Sequence, residues 1–122
     1  MRPLILLLTV AGCASLSESG QVRLSRELAG LVAGEPRACV SANQGSSLQA
    51  ADNRTIVYRT QDIVWVSRLP GECPGLTPLS TLVVESFSGQ YCRGDRVRGL
   101  EPGRSIAGPS CPLADFVPYR RP

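Results

Sequence analysis

Five cysteines and no histidine in 122 residues constrain this chain more than any other feature. Cys39, Cys73, Cys92 and Cys111 follow one another at intervals of 34, 19 and 19 residues, with no C-x-x-C pair. That spacing suits disulfides rather than a zinc site. A domain of this size hides only about 60–70% of its unfolded surface, so its core is modest and covalent staples matter. Such staples persist in an oxidising compartment. Four cysteines allow three connectivities, between which sequence alone does not choose. The nested pair Cys73–Cys92 and Cys39–Cys111 is the expectation, tying the first strand to the tail and the central loop to the hairpin after it.

The fifth, Cys13, closes the run Leu8-Thr9-Val10-Ala11-Gly12-Cys13, at the end of an apolar stretch that starts just after Met1 and Arg2. A basic start, an apolar segment and small residues before the cut are the pattern of an export leader. The box Val10-Ala11-Gly12-Cys13 is the pattern of a bacterial lipoprotein signal, which predicts a leader over 1–12 and acyl chains such as palmitate on Cys13. Ordinary cleavage after Ala14 is the alternative, and it too leaves four cysteines. The apolar segment Pro3–Val10 falls far short of the ~20 residues that span a bilayer. Membrane attachment is therefore expected through lipid on Cys13, which needs more than one acyl chain to be stable. Under the enteric sorting rule, Ala14 in place of aspartate after the lipidated cysteine points to the outer membrane, on its periplasmic side.

Residues 13–20 are small and polar enough for a tether, with Ser15, Ser17 and Ser19 among them. Residues 21–122 then form one domain. From Gln21 to Ala33, Leu24, Leu28 and Leu31 share a helical face. Gly34 stands where a C-cap glycine belongs and Pro36 stops the helix, which is expected to pack on one end of a sheet. Beyond Pro36 the pattern is strand and turn. Ala38–Ser41, Thr55–Thr60, Ile63–Ser67, Thr81–Phe87, Gln90–Cys92 and Arg96–Leu100 read as strands, with Gln61-Asp62 and Ser88-Gly89 as the turns of hairpins. Leu113–Tyr119 reads as an extended tail. The fold class expected is mainly β: a small antiparallel barrel or bent sheet of five or six strands, one N-terminal helix and two disulfides.

The cysteine motifs also resemble an uncharacterised family of small exported proteobacterial proteins, known only as a domain of unknown function. The residues that carry it are Cys39-Val40, Thr55-Ile56-Val57-Tyr58, Cys73-Pro74-Gly75-Leu76, Tyr91-Cys92-Arg93-Gly94-Asp95, Ser110-Cys111-Pro112-Leu113 and Phe116-Val117-Pro118. Trp65, Ser67 and Ala114 depart from its pattern. The resemblance implies an exported, cysteine-stapled domain and no reaction.

The chemistry expected is spare. Without histidine there is no Ser-His or Cys-His pair and no common zinc ligand, so neither metal nor cofactor is expected. All 13 basic residues are arginine, scattered, and the net charge of +3 drops to about +2 without Arg2, too little to imply nucleic acid. Asp62, Glu85, Asp95 and Asp115 supply carboxylates for a hydrolytic pair only if they converge. Asp95 reads instead as a cap on the turn after Cys92, and Arg93-Gly94-Asp95 as a turn rather than an integrin signal. Tyr58 and Trp65 are the aromatic candidates for recognition, against a core role. The functional expectation is a non-enzymatic envelope lipoprotein with a structural or protein-interaction role and an unknown envelope partner. The alternative is a soluble periplasmic binding module or inhibitor.

Overall fold

The computed structural model describes residues 19–42, 46–86 and 88–122. The expected leader, Cys13 and residues 14–18 lie outside them, as do Asn43-Gln44-Gly45 and Phe87. The fold is mainly β, with one short helix, ten strands and two disulfides among the described residues. In chain order the elements are α1 (Gly20–Leu28), β1 (Val32–Ala33), β2 (Cys39–Ser41), β3 (Leu48–Ala50), β4 (Thr55–Arg59), β5 (Val64–Arg68), β6 (Thr81–Glu85), β7 (Gln90–Cys92), β8 (Arg96–Leu100), β9 (Cys111–Pro112) and β10 (Phe116–Arg120).

The strands form three antiparallel sheets: a five-stranded one in the order β1-β10-β5-β4-β3, a ribbon β2-β7 and a three-stranded one β6-β8-β9. None of them closes into a barrel. The short sequence Thr55-Ile56-Val57-Tyr58 is buried throughout because its sheet is covered on both faces. One face, with Ile56, Tyr58, Trp65 and Phe116, meets Leu76, Val97 and Leu113 in the main core. The other face presents Val57 and Val66 to Leu24 of α1, with Leu28 packed alongside. The helix therefore lies across a sheet face rather than on a sheet end.

The helix is also shorter than the expected span to Ala33. Ser19 caps it, its Oγ accepting the Val22 N–H at 3.2 Å, so the helix begins one residue earlier than expected. Gly30, at φ 81°, turns the chain just past Leu28, and Val32 and Ala33 leave to pair with Arg120 and Tyr119 of β10. Leu31 thus belongs to a turn, where its N–H donates to the Leu28 carbonyl at 3.0 Å.

Three further expectations are corrected. The tail is a sheet interior: β10 lies between β1 and β5, with Pro118 opposite Trp65. Proline fits there because the Pro118 carbonyl accepts the Gly34 N–H at 2.7 Å. In antiparallel pairing a residue's N–H and C=O point the same way, so the missing donor faces the short edge strand and the ladder to β5 loses nothing. The β6–β7 hairpin does not form, since β6 pairs with β8 and β7 with β2. That strand pairing sets Cys39 directly opposite Cys92, and the bridges are Cys39–Cys92 and Cys73–Cys111, interleaved rather than nested.

Close backbone approach explains one glycine in β8. A Cβ on Gly99 would stand 2.1 Å from the Gly75 carbonyl oxygen, so the loop after Cys73 lies directly on the strand. The Gly99 carbonyl in turn accepts the Gly108 N–H at 2.9 Å. Two loops thereby meet on β8 beside the buried Cys73.

Candidate functional site

Strand pairing brings the two aromatic candidates together. Tyr58 on β4 is the register partner of Trp65 on β5, and both side chains point into the main core, at 0% and 7% exposure. Core packing is thus what each provides, and neither offers the large exposed area of a surface anchor. They do border an open cleft of about 330 Å³ between the ribbon and the large sheet, together with Arg37, Cys39, Thr60 and Gln90. The Tyr58 hydroxyl donates to the Ser41 carbonyl at 3.1 Å, and the Thr60 hydroxyl to the Ile63 carbonyl at 3.3 Å. These bonds hold the rim in place.

Tyr91 of β7 meets Tyr58 edge to face, with ring centroids 5.4 Å apart. Burial, then the neighbouring Tyr58, pushes the Tyr91 phenol above its ordinary range. Beside Tyr91 on β7, the Cys39–Cys92 bridge joins two half-buried residues, whereas Cys73 is fully buried. Among the described residues, no carboxylate borders the cleft. What it offers a ligand is an aromatic edge, hydroxyl and amide groups and one guanidinium, a set for shape and hydrogen-bond recognition rather than proton transfer.

The carboxylates singled out in the sequence are spread over separate elements. Asp95 accepts the Cys92 N–H through its Oδ2 at 2.9 Å, and its own N–H donates to the Cys92 carbonyl at 3.0 Å. This is the turn cap expected of it. Asp115 stands 3.2 Å from the Arg93 guanidinium, Glu85 lies 4.0 Å from that of Arg98, and Asp62 sits exposed in the β4–β5 turn.

A second open cleft, about 610 Å³, has both Glu27 and Asp62 on its border. The two Glu27 oxygens take the Nε and Nη2 hydrogens of Arg59, each at 2.7 Å. This hydrogen bonding holds the Glu27 carboxyl below its ordinary value and outweighs the opposing effect of burial. Glu27 is therefore ionised and engaged near neutral pH, a poor proton donor. The sequence signal for the Glu27–Arg59 pair is only a helix carrying glutamate and a strand ending in arginine, and their meeting depends on how α1 lies across the sheet.

Among the described residues there is no group of three or more metal-ligating side chains, and no helix long and apolar enough to cross a membrane. Fold and clefts together define a class: a small antiparallel β domain, stapled by two interleaved disulfides and bordered by shallow, open grooves. No family model, curated protein or solved structure matches this chain. The resemblance carried by the cysteine motifs stands on the sequence alone.

Proposed function

We propose that this chain is a bacterial envelope lipoprotein, held through acyl chains on Cys13 to the periplasmic side of the outer membrane, with a non-enzymatic structural or protein-interaction role. One observation carries the reading. The two bridges take Cys39, Cys92, Cys73 and Cys111, four of the five cysteines, and the one left over is the cysteine of the lipoprotein box. Two bridges in a small domain fit an exported protein. The engagement of Asp95 by backbone, and of Glu27 and Asp115 by arginine, favours a structural or binding role over acid–base chemistry.

Replacing Cys13 with serine tests it. The variant is expected in the soluble envelope fraction while the native chain sediments with membranes, and the intact mass of the native chain is expected to include acyl groups. Unchanged sedimentation of the variant overturns the anchor. The cleft bordered by Tyr58 and Trp65 favours a second reading, a soluble periplasmic binding module cut after Ala14. A mature mass that begins at Ser15 without acyl groups would establish it.

A further inference from the structure

The turn Thr77–Ser80 carries its two middle residues, Pro78 and Leu79, at a fixed tip. The Ser80 hydroxyl accepts the Thr77 N–H at 3.0 Å and donates to the Gly75 carbonyl at 2.6 Å, while the Ser80 N–H donates to the Thr77 carbonyl at 3.0 Å. Leu79 at that tip is 79% exposed. Turn tips ordinarily carry polar residues, proline or glycine, each for a conformational reason that leucine does not share. A lone exposed leucine needs no explanation by itself. Its position is what matters. Pro78 packs at the start of α1: a Cβ on Gly20 would lie 3.3 Å from its Cγ, and Gly20, Arg23 and Pro78 border one groove. Val22, in the first turn of the same helix, is 50% exposed.

The chain enters this helix at Ser19, six residues after Cys13. Whatever path those residues take, an extended chain covers at most about 3.6 Å per residue, so the lipid is no more than roughly 22 Å from the helix start. A surface that close, covalently joined, meets the domain at high effective concentration, and even a weak contact is then populated. Apolar side chains beside the joining point match the boundary between headgroups and acyl chains.

We propose that the Pro78-Leu79 tip, beside the start of α1, is the part of the domain that rests on the lipid surface, an inference that depends on the lipid anchor at Cys13. The domain then has a fixed orientation, with the start of α1 toward the bilayer.

Tryptophan fluorescence tests this on the full-length, acylated protein in vesicles of phosphatidylethanolamine and phosphatidylglycerol with brominated acyl chains. Trp65, the one native tryptophan, is buried and supplies a constant background. In the Leu79→Trp variant the added emission shifts to the blue and is quenched roughly twofold, as for a side chain inserted at the headgroup boundary. An Ile106→Trp variant on another loop, where the native side chain is 83% exposed, keeps a water-like, unquenched emission. If both variants float with the vesicles and are quenched alike, or neither is quenched, the orientation is overturned and the anchor stands. If the protein does not float and its mass lacks acyl groups, the anchor fails and the inference falls with it.

Discussion

Ser67 and Ala114, 47 residues apart in sequence, exchange two hydrogen bonds: the Ser67 hydroxyl accepts the Ala114 N–H at 3.0 Å and donates to the Ala114 carbonyl at 2.9 Å. Ser67 is fully buried at the end of β5, and Ala114 belongs to the link between β9 and β10. One hydroxyl thus replaces the strand pairing that the link itself lacks. Ser67→Ala strands both backbone groups and is expected to cost about 1–3 kcal/mol. A urea midpoint unchanged from the native protein would show that water takes the place of the hydroxyl.

The approach of Gly75 to Gly99 gives a contrast between two glycines. Gly99→Ala forces a methyl against backbone oxygen and is expected to destabilise by about 2–3 kcal/mol. Gly71→Ala meets nothing within 4 Å and needs no positive φ, so it should leave stability unchanged or raise it by up to about 0.5 kcal/mol. Thermal unfolding of the two variants reads the difference, and equal shifts would contradict the close contact.

Arg59 and Glu27 give a pH dependence. The Glu27 carboxyl is lowered in the fold by its hydrogen bonds to Arg59, so the unfolded chain binds its proton first. The stability this pair supplies is complete above the ordinary value of about 4.5 and is lost as pH falls below it through the folded value. Both side chains are partly in water, at 43% and 33% exposure, so screening holds the effect to about 1 kcal/mol or less. A Glu27→Gln variant should therefore lose the acid-side part of the stability profile while matching the native slope above pH 5. A native profile that is flat between pH 5 and 3 would speak against the pair.

Peptide mapping without reductant is expected to join Cys39 to Cys92 and Cys73 to Cys111. The sequence separations are 53 and 38 residues, for which the chain-entropy model gives about 4 kcal/mol each. Replacing Cys73 and Cys111 together with alanine should lower stability by roughly that amount, and full reduction should abolish the cooperative thermal transition. Retention of the transition after reduction would mean that the apolar core suffices.

Much of this architecture is legible in the residues, and where it is not, the reason is partner choice. Thr55–Tyr58 and Val64–Val66 read correctly because a run of β-branched and aromatic side chains announces a strand buried on both faces. Arg96–Leu100 read correctly because Arg96 and Arg98 alternate with the buried Val97 and Gly99. Leu31 and Val32 continue the apolar rhythm of the helix in sequence, while the turn at Gly30 and the pull of β10 decide where it ends. Pro118 disguised β10, since only the three-dimensional direction of its missing N–H makes it harmless. The cysteine pairing was hidden for the same reason as the β6–β7 break: Cys92 follows Ser88-Gly89 in sequence but takes its neighbours from β2. Of the site, Tyr58 and Trp65 were recognisable as important, yet their burial came from cross-strand register. The tip at Leu79 shows only in its exposure and in its place beside Gly20.

The crossed bridges also decide what happens to a nicked chain. With Cys39 joined to Cys92 and Cys73 to Cys111, one cut in each of any two of the three segments between cysteines leaves every cysteine-bearing fragment covalently linked. Nested bridges would release the middle piece whenever the two cuts fell in the first and third segments. The domain thus stays joined through two such cleavages, and only a third cut divides it.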